Sequence, residues 1–99
     1  MTKDAERLLY CLYGIFKEKN KTESRALAKE MTEAEIADKC NSYFNSEDVS
    51  DLLTELSDNE YIKIDVIGDI ELQNSAIKAI ENQPKETFEK IVDFIAKLK

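Results

Sequence analysis

Residues 8–16 read LLYCLYGIF, nine positions without a charge. Ala5, Leu8, Leu9, Leu12 and Phe16 follow the i, i+3, i+4, i+7, i+11 spacing of one helical face, and Tyr10, Cys11, Tyr13 and Ile15 fill the others. A helix apolar on nearly every side cannot lie on the surface of a small domain. It is either the central strut that other helices cover or a strut shared with a second subunit, and the pattern favours a little of both. Thr2 supplies an N-cap, and Asp4 and Glu6 suit the positive end of the helix dipole.

At 99 residues there is room for one core, so residues 1–99 are read as one domain. Such a chain buries roughly 60–65% of its unfolded surface, enough to fold without staples. With 42% hydrophobic and 35% charged residues, two Gly and one Pro, the profile is helix-rich, not that of a β-sandwich or a disordered tail.

After a polar connector, Thr22 or Ser24 opens a short helix through Ala26, Leu27, Ala28 and Met31. Thr32 and Glu35 form a capping box, T-x-x-E, for a segment through Ile36, Ala37 and Cys40. NSYFN, residues 41–45, interrupts the pattern, with Tyr43 and Phe44 expected to anchor the loop. Asn45 or Ser46 then caps a helix whose Val49, Leu52, Leu53 and Leu56 make one stripe. Beyond Asn59 the period drops to two: Ile62, Ile64 and Val66 alternate with Lys63 and Asp65, as in a half-buried strand. IGD, residues 67–69, supplies a turn, and Ile70 and Leu72 a second strand. One hairpin is marginal alone and must lean on helices. Asn74 caps a short helix through Ala76, Ile77 and Ile80. Pro84 suits the first position of a last helix, with Gln83 as its cap and Glu86 in its first turn. That helix carries Phe88, Ile91, Val92, Phe94, Ile95 and Leu98, an arc broader than one packing partner requires.

The expected fold is therefore mainly α with one β-hairpin, in the order of a winged helix-turn-helix with an extra C-terminal helix. Residues 2–60 form the helical core, 61–73 the wing hairpin and 74–99 the C-terminal helices. Three stretches, MTKDAERLLYCLYGIF, SEDVSDLLTELSDNEYIKI and AIKAIENQPKETFEKIVDFIAKLK, resemble small, uncharacterised winged-helix proteins of Firmicutes and their phages, and more distantly YjcQ-like proteins. The resemblance spans most of the chain through its apolar pattern and the phrases Lys3-Asp4, Glu47-Asp48-Val49, Gly68-Asp69 and Glu81-Asn82. It implies the fold and a DNA-linked context, and brings no catalytic or ligand motif.

Catalytic chemistry finds little purchase. The chain has no His, its two Cys form no CxxC, and neither GxGxxG nor GxxxxGK[ST] occurs. No catalytic residue, metal ligand, cofactor or small-molecule ligand is expected. Glu47, Asp51 and Glu55 stack at i, i+4 and i+8, but a good Ca²⁺ site needs a shaped loop with more oxygens. Cys11, inside the apolar run, reads as a buried free thiol in a reducing compartment. No leader pattern and no membrane-length apolar run appears, so the expected location is cytoplasmic.

Charge decides between the remaining classes. The net charge is −7, and residues 30–60 hold ten carboxylates (Glu30, Glu33, Glu35, Asp38, Glu47, Asp48, Asp51, Glu55, Asp58, Glu60) against Lys39 alone. A carboxylate held about 5–6 Å from a phosphate costs on the order of 1 kcal/mol even at the dielectric of water. Residues 46–60, where a winged helix keeps its groove-reading helix, therefore suit a protein partner, a basic one by charge complementarity. Glu47, Ser50, Asp51, Thr54 and Glu55 are the expected contact set. The alternative is a transcriptional regulator that docks on DNA through the wing and the basic connector 17–29, with Lys17, Lys19, Lys21, Arg25 and Lys63 touching phosphate. A homodimer would use Tyr10, Tyr13, Phe94 and Leu98.

Overall fold

Helix α1 (Lys3–Lys19) runs through the middle of the molecule and touches most of the elements that follow. Thr2 caps it as expected, its hydroxyl accepting from the Ala5 N–H at 3.2 Å. Ala5, Leu8, Leu9, Cys11, Leu12, Tyr13, Ile15 and Phe16 are all buried, so the apolar circumference is consumed inside one chain. The computed structural model describes residues 1–40 and 43–98; Asn41 and Ser42 of the expected loop and Lys99 of the last segment lie outside them.

The described elements are α1, α2 (Arg25–Ala28), β1 (Glu30–Met31), α3 (Glu33–Cys40), α4 (Ser46–Asp58), β2 (Ile62–Ile64), β3 (Ile70–Leu72), α5 (Asn74–Glu81) and α6 (Lys85–Ala96). The molecule is mainly helical, with a small antiparallel sheet of order β1-β3-β2. That sheet has a strand the sequence did not predict. Met31 was expected in a helix, since its spacing from Leu27 and Ala28 is helical. Instead Ser24 caps only one turn, and residues 30–31 pair with the open edge of β3, Glu30 facing Glu71 and Met31 facing Ile70. The Leu72 N–H donates to the Lys29 carbonyl at 2.9 Å and extends this pairing. A two-residue strand shows no alternation of its own; it exists because β3 would otherwise present an unpaired edge.

The Thr32–Glu35 capping box forms as expected, the Glu35 N–H donating to the Thr32 hydroxyl at 3.1 Å. Two boundaries shift by a residue. Gln73 rather than Asn74 occupies the N-cap of α5, and Pro84 is the N-cap of α6 with extended backbone, its carbonyl accepting from the Phe88 N–H. In α6 only Ile91 is fully buried, with Phe88, Phe94 and Ile95 partly covered, as is Leu98 just beyond it.

Close packing of α6 on α1 depends on Gly14. A Cβ there would lie 2.7 Å from Ile95 Cγ2, well inside contact distance. Glycine in a helix interior costs about 1 kcal/mol relative to alanine, and here that cost lets the two helices approach. The thiols of Cys11 (α1) and Cys40 (α3) meet in the same core, where their mutual hydrogen bond and burial hold the Cys11 thiol well above its usual range. Tyr13 is buried too, and its hydroxyl donates to Glu81 Oε2 at 2.8 Å, tying α1 to α5.

The end of α4 is a second point of local tension. Asn59 is the C-cap; the Glu60 N–H returns to the Ser57 carbonyl and the Tyr61 N–H to the Leu56 carbonyl, a Schellman arrangement. It requires a left-handed residue, and that residue is Glu60, with φ of 64°. Glycine is the usual occupant, because a Cβ in this region is crowded by the backbone.

Two stability measurements check these points. In chemical denaturation, Gly14→Ala lowers stability by about 1–3 kcal/mol through overpacking. In an Ile95→Ala background the same change is neutral, or gains up to about 1 kcal/mol from helix propensity. Glu60→Gly raises stability by about 0.5–1 kcal/mol, whereas Glu60→Ala, which removes the same carboxylate but keeps the Cβ, does not.

Candidate interaction surface

The outer face of α4 follows from its inner one. Leu53 and Leu56 are buried and Val49 and Leu52 partly so, which turns Glu47, Ser50, Asp51, Thr54 and Asp58 outward as exposed residues. The Thr54 hydroxyl donates back to the Ser50 carbonyl at 3.2 Å. Asp58 extends the acidic row to the C-terminal turn, where no basic residue offsets the helix dipole. Asn45 holds the N-cap position, and its amide donates to Asp48 at 3.4 Å.

Glu55 does not belong to this face. Its carboxylate accepts from the Thr2 N–H at 2.7 Å and from the Thr2 hydroxyl at 3.1 Å, clasping the start of α1. The i+4 spacing from Asp51 suggested a continuous ladder, but a position on the flank of a helix can also turn toward a neighbouring element. Here that neighbour is an N-terminus with unpaired donors.

The basic connector is largely occupied. The Lys19 ammonium donates to the Glu30 carbonyl and pairs with Glu35 at 3.3 Å. Lys21 pairs with Glu18 at 3.3 Å, and the Arg25 guanidinium lies 5.4 Å from the centre of the Phe16 ring. Of the five expected phosphate contacts, Lys17 and Lys63 alone have exposed side chains with no such partner among the described residues. Lys63 faces Glu71 across the sheet, and Glu71 in turn faces Glu30. Three of the four expected connector cations are thus engaged by neighbouring groups, and the hairpin cation Lys63 sits opposite a carboxylate. Between the end of α1 and α3 lies an open cleft of about 490 Å³, where Lys19, Lys21 and Lys39 mix with Glu18, Glu35 and Asp38.

The expected dimer surface is divided. Tyr13 is 2% exposed and belongs to the core, a correction that follows from its place on the covered side of α1. Tyr10, Phe94 and Leu98 are half-buried within the chain. Phe94 sits edge-on to Tyr43 at 5.1 Å and to Tyr10 at 6.3 Å, which anchors the loop as expected.

The turn expected at 67–69 forms but begins earlier, and the exposure of its apolar residues was not anticipated. Val66, expected to face the core by alternation, is 103% exposed, and Ile67 is 79% exposed. Both lie in a turn that spans 65–69. The Asp65 carboxylate accepts from the N–H groups of Ile67 (3.0 Å) and Asp69 (2.9 Å), and the Gly68 N–H donates to the Asp65 carbonyl at 3.1 Å. Gly68 has φ of 91°, as a turn closed this way requires. Asp at the first position and Gly three residues later is a turn signal that could have flagged this segment.

Among the described residues, no three or more His, Cys, Asp or Glu are grouped to hold a metal ion, and no helix is long and apolar enough to cross a membrane. No protein-family model, curated protein or solved structure matches the chain significantly.

Paired substitutions separate the two kinds of carboxylate on α4. Glu55→Ala loses about 1 kcal/mol of stability in chemical denaturation, since it removes the hydrogen bonds to Thr2 from a partly solvated site. Asp51→Ala stays within about 0.5 kcal/mol of the parent.

Proposed function

We propose that the chain is a winged-helix domain with an added C-terminal helix, acting as a non-enzymatic regulatory or protein-interaction module. In this reading α3 and α4 are the helix-turn-helix pair and the β2–β3 hairpin is the wing. The order of helices, the short strand before the pair and the antiparallel sheet all support it. The resemblance to small winged-helix proteins of Firmicutes and their phages fits the same scaffold, and a cytoplasmic setting goes with it.

One observation carries the functional part. Every charged side chain on the outward face of α4 is a carboxylate, while the nearby connector cations are mostly spent on Glu18, Glu35, Phe16 and the Glu30 carbonyl. A phosphate backbone brought against that face meets Glu47, Asp51 and Asp58 and no counter-charge on the helix. A basic protein surface meets the charges it needs.

A chemical-shift titration of the isotopically labelled protein tests this reading. A Lys–Ser peptide of high positive charge shifts the amides of residues 47–58 and of the hairpin, and mixed-sequence duplex DNA at low salt leaves them unmoved. Salt-sensitive duplex binding, with shifts centred on Lys17, Lys21, Arg25 and Lys63, would replace the proposal with a DNA-binding regulator docking through wing and connector.

A further inference from the structure

The most exposed apolar side chains of the described chain sit together at the hairpin tip. Val66 is 103% and Ile67 79% exposed, and Ile64, just below them, is 42% exposed. Adjacent apolar residues this exposed form a contiguous patch, the kind of surface feature that marks interaction sites. They are also held in place: the Asp65 carboxylate accepts from the Ile67 and Asp69 N–H groups, the Gly68 N–H donates to the Asp65 carbonyl and the Asp65 N–H to the Asp69 carbonyl at 3.0 Å, which leaves the tip little freedom. A pre-ordered turn loses less entropy on binding than a loose one.

The surroundings define the partner. Asp65 and Asp69 flank the tip, and a carboxylate oxygen of Glu33, from the first turn of α3, reaches to 3.8 Å from where a Cβ on Gly68 would lie. The base of the wing carries Glu71 beside Lys63. An apolar knob in an acidic collar matches an apolar pocket rimmed by Lys or Arg. The same collar repels anionic lipid and the phosphates that line a DNA groove. A second copy of this chain is a poor match, because its cleft beside α3 carries carboxylates among its lysines.

We infer that the Val66–Ile67 tip is the apolar anchor of the interaction surface, inserting into an apolar pocket with a basic rim on a partner protein. This deepens the proposed function and rests on it, since it supplies the specific contact that a purely acidic face lacks. Burying apolar side chains at the centre of an interface supplies a desolvation gain that exposed charge pairs do not.

Two synthetic peptides of equal positive charge test the inference, an amphipathic Leu–Lys helix and a Lys–Ser chain, with binding followed by fluorescence anisotropy. The parent binds the Leu–Lys peptide at least about tenfold more tightly, the scale expected from burying part of two aliphatic side chains. The double variant Val66→Ser, Ile67→Ser keeps its thermal midpoint, because neither side chain packs in the core, and loses that preference while still binding Lys–Ser. A preference unchanged in the double variant, or equal binding of the two peptides by the parent, overturns the anchor and leaves the acidic-face proposal standing. Failure of the parent to bind either peptide overturns both. Binding to phosphatidylcholine vesicles that the double variant loses would reassign the tip to lipid and also overturn the inference.

Discussion

Nearly everything in this fold depends on encasing α1. A helix with apolar side chains on all sides gains stability only when each side is covered, and each side is covered by a different part of the chain. Leu8, Leu12, Tyr13 and Phe16 are at most 2% exposed, and α3, α4, α5, α6 and β3 all contact the helix. Burying such a side chain fully is worth about 1.5–3 kcal/mol, so this one helix supplies a large share of the driving force. Gly14 trims its surface where α6 crosses, and Thr2 lets Glu55 of α4 fasten its first turn.

That internal demand shapes the surface. With the apolar stripe of α4 committed to the core, the outward residues of the helix are free to vary in charge without affecting folding, and here they are acidic. The hairpin is fixed from below by Ile62, Ile70 and Leu72 and from the side by β1, so its tip can extend into solvent as a stiff projection. A rigid core thus presents two exposed features, a negative helix face and an apolar knob. Together they support the proposed protein recognition rather than phosphate recognition.

The helices were legible because their signals are local. Thr2 as a cap, Thr32 with Glu35 as a capping box and the Val49–Leu52–Leu53–Leu56 stripe each depend on a few consecutive residues, and each appears in the structure. Strand β1 was not legible, since residues 30–31 pair only because β3 arrives some forty positions later. Val66 was misplaced because alternation continues past the end of a strand when a turn residue happens to be apolar; Asp65 and Gly68 were the better guide. In the candidate site, Glu47, Ser50, Asp51 and Thr54 lie on the exposed face as expected. Glu55 lies apart because its partner, Thr2, is distant in sequence. Tyr13 could be assigned to core or interface only once the covering elements were in place.

As a winged helix, the proposed scaffold would have the shape of a groove reader and the wrong charge for one. Replacing Glu47, Asp51 and Asp58 together by Lys, on an exposed face that folding does not use, tests it most directly in a salt-dependent duplex titration. The account predicts that the parent shows no measurable affinity at low salt, while the triple variant binds and weakens steeply as salt rises. Tight, salt-dependent binding by the parent, or a triple variant as inert as the parent, would contradict it.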